Sequence, residues 1–173
     1  MRGTLAEQAD VLTRLISWGE GRGDIRALIL TSSRARPYKE ADALSDYDVI
    51  VVATDPKMLS QDDAWQLELG RPLVRWGDQG ELAGLTTHFR GVFYEDAVKL
   101  DYTIWPNELL EHVAHLEALP EDLDAGYRIL LDKDGTRSRW DAPTYRAFIP
   151  SRPTAAEYRA LVERVLVGRL VCG

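Results

Sequence analysis

Apolar side chains recur through the first twenty residues at Leu5, Val11, Leu12, Leu15, Ile16 and Trp18, the spacing of an amphipathic helix. The glycines that follow, Gly19, Gly21 and Gly23, lie after a helix and before a strand. A phosphate-binding glycine loop requires the opposite order, so they read as a helix C-cap and turn. The run 25–30 (IRALIL) is short, apolar and bounded by Thr31, Ser32, Ser33 and Arg34, as a buried strand is. A polar loop, 35–45, leads to a second strand over 47–53 (YDVIVVA), rich in β-branched residues. Asp55-Pro56 closes it, and 57–69 reads as helix.

The middle of the chain is less regular. A short strand is expected over 72–76, and 77–90 shows no period and reads as a loop. Residues 92–94 and 97–105 form a hairpin turning at Glu95-Asp96. Its second arm alternates, with Lys99, Asp101 and Thr103 on one face and Val98, Leu100, Tyr102 and Ile104 on the other. A helix over about 107–117 and a strand over 127–132 (YRILLD) follow. Prolines and a glycine mark 133–153 as a linker, and 154–171 carries the apolar stripe of a final helix. Strands alternating with helices, plus a hairpin, predict an α/β (α+β) domain with a mixed sheet flanked by helices. The domain is expected over 1–150, with 151–173 opening a shortened helical second domain.

With 173 residues, 45% of them hydrophobic, the chain has material for one ordinary core. The 21 basic residues against 28 acidic ones give a net charge of −7, which argues against a nucleic-acid partner. No apolar run is long enough to span a bilayer and no leader pattern opens the chain, so a soluble cytoplasmic protein is expected. The single cysteine, Cys172, excludes an internal disulfide and a cysteine-cluster metal site.

Three acids and one turn are the candidate chemistry. Asp46 and Asp48, at i and i+2 at the start of a strand, project to the same side. Such a pair either closes a loop in solvent or holds a hard cation such as Mg²⁺. Asp101 lies in an apolar stretch of a strand able to sit beside them. It is either a third ligand or an acid paired with a basic neighbour. Ser32, Ser33 and Arg34 follow a buried strand, where hydroxyls, backbone N–H groups and a guanidinium can take phosphate oxygens, although a plain polar turn has the same composition. Trp76 and Trp105 are either stacking surfaces for a base or sugar or half-buried packing. His112 and His115 share a helix face without an evident third ligand, His88 sits in unpatterned sequence, and Glu81, Glu95 and Asp96 form an acidic surface able to attract a cation.

The order of these features is more specific than any one of them. An apolar strand with Ser-Ser-Arg, then Ser-Asp-Tyr-Asp entering a strand, Lys-Leu-Asp-Tyr-Thr at 99–103, and Leu131-Asp132-Lys133-Asp134 resemble the polymerase-β-like nucleotidyltransferases. The likeness is nearest to the aminoglycoside 6-adenylyltransferase, or streptomycin adenylyltransferase, family. It runs from about Leu12 to about Val167, and the stretch from Pro153 to Tyr158 resembles the start of that family's helical domain. The family has Gly where this chain has Ser32.

The resemblance implies transfer of AMP from ATP to a hydroxyl of a small cationic acceptor, an aminoglycoside, with loss of pyrophosphate. It implies Mg²⁺ held by Asp46, Asp48 and Asp101, with Asp101 either completing the metal site or taking the hydroxyl proton. Ser32, Ser33, Arg34 and Lys99 would bind the nucleotide. The alternative is a nucleotide- or partner-binding module of the same fold without transfer, which Ser32 and the short helical domain favour. The uncovered stripe of the final helix further predicts a homodimer through that helix.

Overall fold

A computed structural model describes residues 5–37, 45–135, 140–146 and 159. Six strands form one mixed sheet in the order β3-β4-β5-β2-β1-β6. They are β1 (Ile25–Thr31), β2 (Tyr47–Ala53), β3 (Pro72–Leu82), β4 (Leu85–Tyr94), β5 (Lys99–Pro106) and β6 (Tyr127–Asp132). β2 and β5 run parallel and every other pair is antiparallel. The two most apolar runs, β1 and β2, lie side by side in the interior of the sheet and bury side chains on both faces, which is why they show no alternation.

Each face of the sheet has its own core. On one, α1 (Leu5–Glu20) brings Val11, Leu15 and Trp18 against Leu28, Leu30, Val49, Val51 and Tyr102. α2 (Pro56–Gln61) and the 3-10 segment Asp63–Glu68 add Leu59 and Trp65 to it. The Trp65 ring packs edge-on to Tyr102 at 4.9 Å, and its Nε1 donates to the Leu59 carbonyl at 2.9 Å. On the other face, α3 (Glu108–Val113) and α4 (Glu121–Asp124) supply Leu109, Leu110, Val113 and Leu123. These cover Ala27, Ile29, Ile50, Val52 and Trp105.

The expected mixed-sheet fold, the first helix, both central strands, the β4–β5 hairpin and β6 are present. Three details differ. The region 57–69 is a short helix and a 3-10 segment, because the Asp62 side chain accepts from Ala64 N–H and starts a new turn. The helix expected to about 117 ends at Val113. Residues 77–90 are not a loop: β3 and β4 form a long hairpin. Its turn is Ala83-Gly84, both at positive φ (50° and 77°), the conformation of a two-residue hairpin turn. β3 is an edge strand exposed for most of its length, so neither face imposes a hydrophobic period.

The predicted final helix and the dimer through it lie outside the described residues, except that Arg159 is helical. Among the described residues no helix is long and apolar enough to cross a membrane.

Candidate active site

The parallel ladder of β2 and β5 places Asp48 directly beside Asp101. Both belong to the face covered by α3 and α4, but they lie beyond the apolar positions those helices cover. Burial raises the Asp48 carboxyl above the usual range, and the charges of Asp101 and Asp46 push it further. A side-chain hydrogen bond with Ser32 and the charge of Lys99 act in the opposite direction.

Lys99 stands two positions before Asp101 on the same face of β5. Its Nζ donates to Asp46 and, at 2.8 Å, to Asp101 Oδ2. Burial alone would lower the lysine; the hydrogen bonds to Asp101 and Asp46 and their charges outweigh it, and the ammonium is held above its usual range. The other oxygen, Asp101 Oδ1, is buried with no hydrogen-bond partner. The half-buried Asp48 carboxyl and the unpartnered Asp101 oxygen are hard donors of the kind a divalent cation takes. Asp46, Asp48 and Asp101 are the residues able to hold one. Among the described residues no three His, Cys, Asp or Glu stand in a ready ligand cluster, and Lys99 bridges Asp46 and Asp101.

The turn beside the carboxylates is the 3-10 segment Ser32–Ala35 after β1. Ser32 has φ of 59°, the left-handed region that favours glycine. Arg34 has a task that its position in the sequence does not announce. Its Nε donates to the carbonyls of Ser45 and Asp46, both at 3.1 Å, and Nη2 donates to Ser45 at 2.6 Å. The guanidinium also lies 3.9 Å from the centroid of the Tyr47 ring. Arg34 therefore ties the approach to β2, and with it Asp46, to the Ser32 turn. Nothing in single-sequence spacing signals a contact from a side chain to distant carbonyls.

The remaining candidates separate. Trp105 is buried in the core against α3 and α4. Trp76 is 40% exposed and its ring centroid is 5.5 Å from Lys99 Nζ. Glu95 pairs with Arg71 and Asp96 with Arg14 at the β4–β5 turn, while Glu81 is exposed near the tip of the β3–β4 hairpin. His112 and His115 are exposed, and a His115 ring nitrogen meets the Glu111 carbonyl. The segment Asp132-Lys133-Asp134 is structural. Lys133 Nζ donates to the Gly19 and Arg22 carbonyls at 2.8 and 2.6 Å, capping the end of α1. Asp134 pairs with Arg26.

The family model described as streptomycin adenylyltransferase matches residues 5–167, and the chain belongs to that family. An aminoglycoside 6-adenylyltransferase from Bacillus subtilis (strain 168) is 27% identical over 141 residues, which cover 78% of this chain and 46% of that protein. A crystal structure of an aminoglycoside 6-adenyltransferase from Bacillus subtilis is similar with a TM-score of 0.48 and 21% identity, over 89% of this chain and 49% of that one. The chain thus spans about half the length of these relatives.

Proposed function

We propose that this chain transfers AMP from ATP to a hydroxyl of an aminoglycoside, releasing pyrophosphate. The observation that carries the reading is the pairing of Asp48 with Asp101, with Asp46 joined to Asp101 through Lys99, beside the Ser32 turn. Family membership and the name of the Bacillus subtilis relative support the nucleotide and the acceptor class.

Ser32 and Ser33 offer hydroxyls and backbone N–H groups to the triphosphate. Arg34 keeps Asp46 in place by holding the backbone of Ser45 and Asp46. Asp46 and Asp48 would hold Mg²⁺, with Asp101 beside them, and the ion would supply charge neutralisation at the phosphoryl oxygens and lower the pKa of an acceptor hydroxyl. Lys99, released from a carboxylate, turns to the phosphate oxygens. The acceptor O–H proton passes to Asp101 Oδ1, the oxygen without a partner. The acceptor oxygen bonds to the α-phosphorus, the bond from that phosphorus to the bridging oxygen breaks, and pyrophosphate departs.

The test is AMP transfer from labelled ATP across a panel of aminoglycosides, with Asp48→Asn as the control. Labelled product from the wild type and none from the variant supports the reading. ATP binding without label transfer to any acceptor assigns the chain to the nucleotide-binding alternative. Asp101→Asn separates its two roles: a slower chemical step with metal affinity retained marks a base, and loss of both marks a ligand.

A further inference from the structure

One row of paired residues crosses the sheet through the site, in the order Trp76, Gly91, Asp101, Asp48 and Thr31. Paired residues share a face, so the row orders what a ligand meets there. The Ser32 turn continues from Thr31 at one end, and Trp76 stands at the other. In phosphoryl-type displacement the attacking and leaving oxygens lie roughly in line on opposite sides of phosphorus. With the triphosphate on the Ser32 side, the acceptor arrives from the side of Gly91 and Trp76.

That side carries a seated aromatic ring. A Cβ built on Gly91 would lie 2.0 Å from Trp76 Cε2 and 2.1 Å from Cζ2, so only glycine lets the ring rest on β4. The ring remains 40% exposed, with Lys99 Nζ 5.5 Å from its centroid. Val74 and Phe93, cross-strand partners beside it, are also exposed. The carboxylates therefore adjoin an open apolar surface with a cation-attracting ring face, where sugar and aminocyclitol C–H edges and ammonium or guanidinium groups find complementary chemistry.

We propose that Trp76, seated on Gly91, is the acceptor platform: its ring packs on the apolar face of an acceptor sugar or aminocyclitol ring and attracts that ring's cationic substituents. The proposal rests on the adenylyl-transfer reading above and adds a specificity-determining residue to it.

Two measurements test it. With an acceptor that the wild type modifies, Trp76→Ala should raise the acceptor KM about tenfold and leave the ATP KM within about twofold, and Trp76→Phe should recover most of the loss. Gly91→Ala should mimic Trp76→Ala, because the new methyl displaces the ring. In a Trp76→Ala background it should add less than about twofold, since the clash is gone. A raised ATP KM with the acceptor KM unchanged would make Trp76 an adenine surface and overturn the proposal. Unchanged values for both would leave the ring as cover for Gly91 and overturn it equally. The second measurement needs no turnover: aminoglycoside titration should quench the tryptophan fluorescence of the wild type and not that of Trp76→Phe. Quenching that persists in Trp76→Phe, or none in the wild type, refutes the platform. Absence of AMP transfer by the wild type with this quenching intact refutes the transfer reading alone.

Discussion

Asp48 and Asp101 are direct neighbours in the parallel ladder of β2 and β5, and the charge of Asp101 raises the cost of ionising Asp48. Burial adds to that cost at Asp48. A site assembled this way stores repulsion that a bound cation relieves. Asp48→Asn should therefore raise Tm in metal-free buffer while abolishing AMP transfer. Mg²⁺ should raise the Tm of the wild type more than that of the variant. Thermal unfolding with EDTA and with Mg²⁺ reads both effects; a variant less stable than the wild type in EDTA would contradict the repulsion.

Lys99 relieves part of the same repulsion by bridging Asp46 and Asp101. Removing its charge leaves those acids without their partner. Lys99→Met should destabilise the metal-free protein by about 1.5–3 kcal/mol, the range for a hydrogen bond to a charged group. The same variant should gain more stability from Mg²⁺ than the wild type does, although its transfer rate falls. A smaller Mg²⁺ response in Lys99→Met would show that the lysine assists the cation rather than standing in its place.

The strands that build this site announce themselves in sequence because burial imposes a pattern. The runs of β1 and β2 are apolar apart from Arg26 and Thr31 in one and Asp48 in the other, since both faces are covered along most of their length. β5 alternates, since Lys99, Asp101 and Thr103 are half-buried at the site while Leu100, Tyr102 and Ile104 are buried on the opposite face. The β3–β4 hairpin escaped the same logic because an exposed edge strand obeys no hydrophobic period. Its one local signal is Ala83-Gly84 between Leu82 and Leu85, a two-residue turn. Contacts set by tertiary approach left no trace in local spacing: Arg34 on the carbonyls before β2, Lys133 on the end of α1, and Trp76 on Gly91.

Ser32 combines a left-handed backbone with a hydrogen bond to Asp48. The two contributions separate by comparing two variants. Ser32→Ala loses the hydroxyl and keeps the conformational cost; Ser32→Gly loses the hydroxyl and removes that cost. The left-handed penalty is about 1–2 kcal/mol, partly offset by the greater chain entropy of glycine when unfolded. Ser32→Gly should thus be more stable than Ser32→Ala by about 1 kcal/mol in denaturant unfolding. Equal stabilities would place the residue outside the left-handed region.

Away from the site, Arg22 holds Asp24 with a hydrogen bond at 2.8 Å, which lowers the Asp24 carboxyl below its usual value against the opposing effect of burial. A carboxylate with a depressed folded pKa adds stability above its unfolded pKa and loses it as pH falls through the folded value. Both side chains are partly solvated, so the contribution should be below about 1 kcal/mol. Asp24→Asn should cost this small amount at pH 7, and the difference should vanish in acid below the folded pKa. A difference that grows on acidification would reverse the sign and refute the pairing.

Arg34 offers the sharpest distinction between holding a phosphate and holding the protein. Its Nε and Nη2 converge on the carbonyls before β2, and its guanidinium stacks on Tyr47. A lysine can keep the charge but cannot reproduce the planar fork or the stacking. If Arg34 acts through the loop, Arg34→Lys and Arg34→Ala should be similarly impaired. Both should lose affinity for Mg²⁺, because Asp46 is no longer held, and both should lower kcat about tenfold or more, as mispositioning by about 1 Å does. If Arg34 instead binds phosphate, lysine should rescue ATP affinity and Mg²⁺ affinity should not change. Calorimetric titration of Mg²⁺ and of ATP into the two variants decides between them, and rescue by lysine would remove the positioning role assigned here.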